Sequence, residues 1–143
     1  MSNQSVEKLG ATITRLTFGV VLLAHGLLKV LVFTVPGTVG FFGSLGLPPS
    51  IAYLTIFGEI VGGSAIILGL YTRIAAILSL PIMLGALWVH SGNGWLFSNE
   101  GGGWEFTLVL VALAVAVAFQ GNGAFAIRKF PILDNFVPRP LRS

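Results

Sequence analysis

Cysteine is absent from this 143-residue chain. That excludes a disulfide, a reactive thiolate, and any iron–sulfur or zinc site held by the chain's own thiolates. Thiol or sulfur chemistry would have to fall on a partner or a bound molecule. Charge is also scarce: Asp, Glu, Lys and Arg make up 9% of residues, against roughly 25% in an ordinary soluble domain. The net charge of +3 is not gathered into a stripe that could read RNA or DNA, so no nucleic-acid partner is expected. A signal-peptidase site is missing as well. "LTFGVVLLA" (16–24) could serve as a secretory apolar core, but "HGLLKVL" follows it without the small residues cleavage needs. The segment reads as a retained helix. Alternating strand patterns are lacking too, which removes a membrane β-barrel.

What the chain has is apolar length. Residues of the AVILMFWYC set make up 55%, and there are 19 glycines, a residue commoner in membrane helices than in soluble ones. A bilayer span needs about 20 mostly apolar residues. Four segments meet or approach that, at about 11–33, 51–70, 74–90 and 104–119. Only "YTR" (71–73) joins the second to the third, a turn short enough to force antiparallel neighbours. Helices satisfy their own backbone in lipid. The expectation is therefore an all-α, integral membrane four-helix bundle, up-down-up-down. It forms one domain over 1–123, followed by a basic, proline-containing cytoplasmic tail over 124–143.

Basic residues orient it. With four spans, both termini and the "YTR" turn share one side, which holds Lys8, Arg15, Arg73, Arg128, Lys129, Arg139 and Arg142. The opposite loops, 34–50 and 91–103, contain no Lys or Arg. The asymmetry predicts a multi-pass protein of a cell's inner (cytoplasmic) membrane with both termini in the cytoplasm. In the first outer loop, Phe41, Phe42, Leu45 and Leu47 could lie in the membrane surface as a short amphipathic piece. In the second, Trp95, Phe97 and Trp104 suit the interfacial aromatic belt.

The remaining polar residues converge on one level. At about 1.5 Å rise per residue, Lys29 lies roughly 7 Å below the outer surface, and His25 and Glu59 roughly 13 Å below it. His90 ends the third span and Glu105 begins the fourth. His25 and Lys29, four apart, share a helix face. "GEIVG" (58–62) is a small-xxx-small contact pattern. Glu105 lines up with Val109, Ala112 and Ala116 as a narrow packing seam, and Pro81 is placed to kink the third helix. Intramembrane charge is expensive and by default functional, although Lys29 could also snorkel outward or simply pair with Glu59 or Glu105. Two histidines and two carboxylates raise the question of a metal. The Glu-x-x-His pair of di-iron bundles is absent, and the histidines differ in depth by about 10 Å, too far for bis-histidine haem. No metal, haem or flavin site is predicted.

"HGLLKVL" (25–31), "GLPPS" (46–50), "GEIVGGSAIILGLYTR" (58–73) and "GGGWEFTL" (101–108), in this order, resemble the DoxX family of small bacterial and archaeal membrane proteins. The likeness runs from about Arg15 to Gly123. It implies four membrane helices, kinship with the membrane subunit of an archaeal thiosulfate:quinone oxidoreductase, and association with redox enzymes. Carried over by position, the family's recurring polar residues fall on His25, Lys29, Glu59, Arg73, Trp104 and Glu105, with His90 at a position where polar residues occur in relatives. The reading favoured at this point is a subunit of a quinone-linked oxidoreductase. His25, Lys29, Glu59, His90, Trp104 and Glu105 would bind a quinone headgroup, and Glu59 and Glu105 would move protons. Electrons would come from a partner redox protein or a substrate bound nearby. The rival readings are a non-catalytic anchor or assembly subunit for such a partner, with the basic tail docking it, and a small-solute transporter. Homo-oligomers are compatible with all three.

Overall fold

The structure, a computed structural model, describes residues 2–127, 134 and 136–141. Arg128, Lys129 and Arg142, three of the four basic residues assigned to the tail, lie outside the described residues. Those described contain helices and no strand. Helix α1 spans Asn3–Leu31, capped by Ser2. It begins eight residues earlier than the apolar run, because the polar residues before Ala11 continue the same helix. Helix α2 is Val35–Ser44, realising the short outer piece expected around Phe41 and Phe42. Helix α3 runs Pro49–Leu68, with Gly58–Gly62 wound as a π turn between two α-helical halves. Helix α4 is Thr72–His90, continuous through Pro81, and passes into a 3-10 turn at Ser91–Asn93. Helix α5 is Glu105–Gln120.

Three helices, α1, α3 and α4, are long and apolar enough to cross a bilayer. The fourth, α5, has 16 residues. At about 1.5 Å per residue it measures roughly 24 Å, short of the roughly 30 Å hydrocarbon core. Large apolar side chains are exposed all round, among them Ile13, Val20, Leu31, Phe57, Leu78 and Phe119. Such a surface is untenable in water and suits acyl chains. This is a multi-pass membrane protein.

Phe18, Leu22, Ile66, Ala76, Met83, Leu110, Ala114 and Val117 form the core. Glycine sets the approach of α1 to α3. A Cβ on Gly63 would lie 2.6 Å from the Leu23 nitrogen, and one on Gly26 2.7 Å from Ile60 Cγ1. The π turn splits the two glycines of "GEIVG": Gly58 makes its close contact with Ile82 of α4, Gly62 lies loosely over Leu22, and the adjacent Gly63 makes the close contact with α1. On α5 the expected Glu105–Val109–Ala112–Ala116 seam is not the packed one. Val109 is exposed and so is Ala112, whereas Thr107, Leu110, Ala114 and Val117 are buried. A helix so uniformly apolar carries little information on which stripe faces inward.

At the end of the bundle holding the α3–α4 turn, Arg15 is 1% exposed. Its Nη1 donates to the carbonyls of Ile66 (2.9 Å) and Ile67 (2.7 Å), and its Nη2 to those of Ala124 (3.3 Å) and Phe125 (3.4 Å). The first two belong to α3's last turn, where carbonyls run short of intrahelical donors (Ile66 has the Gly69 amide as well) and a cation meets the negative end of the helix dipole. Gly69 closes that turn at φ 72°, and a side chain there would collide with Ala126 and Arg15. The chain after α5 folds back: the Ala124 amide donates to Thr12 Oγ1 (2.7 Å) and the Ile127 amide to the Leu68 carbonyl (2.9 Å). Residues 124–127, grouped with the tail on sequence, are thus bonded to the bundle.

Candidate functional site

At the opposite end, Lys29 of α1 meets Glu59 of the π turn. Nζ lies 2.8 Å from both carboxylate oxygens, with hydrogen-bond geometry to Oε1 alone. Glu59 is 3% exposed, and its Oε2 has no hydrogen-bond partner. A carboxylate offers about four acceptor positions and an ammonium three donors, so the pair is electrically balanced and still short of hydrogen bonds. π turns concentrate at functional positions within helices. Thr38 of α2, itself buried, donates to the Lys29 carbonyl (3.0 Å). That bond ties α2 over the end of α1.

Two cavities meet at this pair. One is a chamber of about 140 Å³ inside the bundle, with polar walls at His25, Lys29, Glu59, His90 and Thr107 and apolar ones that include Met83 and Leu110. The other is a groove of about 300 Å³ between α2, α3 and α4, lined by Phe41, Phe42, Leu45, Leu47, Trp88 and Val89 among others. Its polar end is again Lys29, Glu59 and His90, with Thr55. Pro81 lines it too.

Both histidines are tautomerically defined by their neighbours. His25 Nδ1 is 2.8 Å from the Val21 carbonyl, and His90 Nδ1 is 3.0 Å from the carbonyls of Gly101 and Gly102. A carbonyl can only accept, so each Nδ1 carries the proton and each neutral ring keeps Nε2 as an acceptor. His25 also stacks on Phe106 at 6.0 Å.

The structure therefore brings together His25, Lys29, Glu59 and His90 around the chamber. Glu105 and Trp104 are held elsewhere. Glu105 accepts the Phe97 amide at 2.6 Å, closing the 91–104 loop onto α5. It borders an open groove shared with His25, Trp95 and Phe106. Trp104 packs edge-on against Trp95 at 4.5 Å. Arg73, at the start of α4, sits at the other end of the bundle. Among the described residues no three His, Cys, Asp or Glu side chains gather as a metal would require. Thr55 and Thr107 were not picked out by sequence reasoning, and a threonine in an apolar helix gives little signal. Arg15 was taken as a flanking charge. Its position inside the apolar run, rather than beyond it, was the available clue.

Comparison with known proteins agrees with the motif pattern. The DoxX family model matches residues 10–92. A Bacillus subtilis (strain 168) protein bearing the name "Putative oxidoreductase CatD" is 32% identical over 135 residues, covering 94% of this chain and 91% of that protein. A Haemophilus influenzae protein named only as "Uncharacterized protein" is 36% identical over 115 residues, 79% of this chain and 84% of the relative. No solved structure matches the chain.

Proposed function

We propose, from the premise that the chain belongs to the DoxX family, that it is a membrane subunit of a redox system which binds a quinone at the Lys29–Glu59 pair. In this reading the four apolar helices span a bacterial inner membrane up-down-up-down with both termini in the cytoplasm. Residues 1–123 form the membrane domain, and a partner redox protein or a nearby substrate supplies electrons. The name of the Bacillus subtilis relative supports a redox association. The observation that carries the quinone assignment is the meeting of an apolar groove with a buried ion pair that has donors and acceptors to spare. Ligand sites are mostly apolar with a few converging polar groups, and about 300 Å³ lies at the small end of their range.

A bound quinone would supply a lipid-soluble carrier of two electrons and two protons. The chain's own residues do the rest. Lys29 donates to a carbonyl oxygen at the polar end of the groove and stabilises negative charge there. Glu59 Oε2 and His90 Nε2 are the acceptors that hold or release protons. Phe41, Phe42 and Trp88 would supply the apolar walls for a quinone's ring and tail.

Calorimetric titration of the full-length protein in nanodiscs with a short-tailed quinone tests this. Saturable binding is expected, weakened at least tenfold by Glu59→Gln and by Lys29→Met. Absence of saturable binding, together with unchanged quinone turnover in native membranes carrying Glu59→Gln, would remove the assignment.

A further inference from the structure

His25 lines two spaces. One is the chamber, which the Lys29–Glu59 pair also lines; the other is the open groove bordered by Glu105 and the 91–104 loop. From these positions we infer that the chamber holds water and forms an outlet from Glu59 to the loop end of the bundle, with the His25 ring as its gate. The inference deepens the quinone reading, because it assigns the lateral groove to the ligand and the chamber to the protons that leave Glu59.

Three observations carry it. First, the chamber has the size and lining for water. A single water needs about 10–15 Å³ of this kind of space and two to four polar partners, and about 140 Å³ faces five polar side chains. Second, Glu59 lines that space and its buried Oε2 lacks a hydrogen bond, a deficit ordered water commonly repairs. Third, His25 Nδ1 is engaged by Val21 within its own helix. The ring can therefore take a proton at Nε2 and give it up again without losing its anchor. A proton moving from Glu59 through chamber water to His25, and from there to water at Glu105, changes no bond other than O–H and N–H. The lateral groove, occupied by an apolar ligand, offers no comparable route.

The native chain has no cysteine, so one introduced thiol reports without background. Thr107→Cys places it in the chamber wall. Ala114→Cys, on the same buried stripe but outside the chamber, is the control. Silver ion, small and hydrated, is added to each full-length protein in nanodiscs, and surviving thiol is then counted by maleimide. Thr107→Cys should react at least tenfold faster than Ala114→Cys. Adding His25→Phe should slow that reaction and adding His25→Ala should speed it, while Ala114→Cys stays unreactive in both backgrounds as evidence of an intact bundle. A Thr107→Cys thiol as unreactive as the control would show a dry chamber. A reactive thiol indifferent to residue 25, but shielded by a quinone in the groove, would show that the chamber opens only sideways. Either result overturns the inference. Neither arm on residue 25 needs a quinone to bind, so failure of the quinone assignment leaves the silver result standing.

Discussion

The bundle holds a cation near each end, Arg15 fully buried and Lys29 partly so, and treats the two differently. Arg15 is clasped by backbone: four carbonyls receive its two terminal nitrogens, and only its buried Nε is left without a partner. Lys29 is balanced by Glu59, yet the pair fronts two cavities and leaves an acceptor bare. Intramembrane charge is a default sign of function, and this contrast shows what the default omits. The discriminating quantity is what a charge is spent on, because bonds to the chain's own carbonyls hold a fold together, whereas an unused acceptor on a residue that lines a cavity can meet a ligand. By that measure the Arg15 end serves architecture, and the Lys29 end is the place for the proposed chemistry.

The largest expected effect would break the comparison if it failed. Arg15→Met removes a charged donor from four carbonyls, of which Ile66 and Ala124 keep another, the Gly69 amide and the Thr12 hydroxyl. Hydrogen bonds to charged groups are worth about 1.5–3 kcal/mol each in net terms, and the loss here should amount to at least about 3 kcal/mol. The protein should aggregate on mild heating in detergent, as followed by size-exclusion chromatography. Material that does stay folded should retain quinone affinity. A stable Arg15→Met protein that has lost quinone binding would reverse the two assignments.

Next in size is the ion pair itself. Lys29→Met alone leaves a buried, unpaired carboxylate, a change that costs about 3–5 kcal/mol in comparable sites. Combining it with Glu59→Leu removes both charges, and replacing a buried pair by apolar residues is often neutral or stabilising by about 1–4 kcal/mol. The double variant should therefore recover its melting behaviour while quinone binding stays absent. Recovery of both would make the pair a device of helix register, in line with an anchor or assembly subunit.

How far this division could be read from the sequence depended on what each residue advertises. Long apolar runs separated by short polar turns announce helices, since lipid leaves no other use for them. The meeting of Lys29 with Glu59 was legible because Glu59 is the lone charge of its apolar segment, Lys29 is the only charge in the outer half of its own, and both fall in the same half of the bundle. His25 followed by its spacing from Lys29. The Glu105 grouping was not recoverable from depth: a carboxylate at a helix start can turn along the surface toward a loop amide as easily as inward, and the Phe97 amide claims it. The π turn left no signature beyond its glycines, because an extra residue per turn is decided by packing against α1 and α4. The Arg15 clamp depends on carbonyls some fifty and more than a hundred residues away, which no local pattern reveals.

A smaller effect sharpens the geometry on which the Lys29 end depends. Gly63→Ala adds one methyl group against the Leu23 backbone nitrogen, 2.6 Å away, where no flexible side chain can yield. Overpacking of this kind costs about 1–3 kcal/mol. Separation of α1 from α3 should also disturb Glu59, so stability and quinone affinity should fall together. By contrast Gly10→Ala, with nothing within 4 Å of the added atom, should change neither.

The smallest effect concerns the other carboxylate at this end, and the type of substitution matters more than its size. Glu105 Oε1 accepts the Phe97 amide, and a glutamine amide oxygen can accept the same bond. Glu105→Gln gives up only the charge-assisted part, so about 1 kcal/mol or less should be lost. Glu105→Ala gives up the bond altogether and frees the loop. Hydrogen exchange at the Phe97 amide should therefore rise strongly in the alanine variant and little in the glutamine variant. For Glu59 the ordering is different in kind, since glutamine keeps the shape but cannot take up a proton, and binding suffers with the conservative change. Two carboxylates in one half of a small bundle, one tolerant of its amide and one not, would separate a loop clasp from a proton acceptor by the same pair of substitutions.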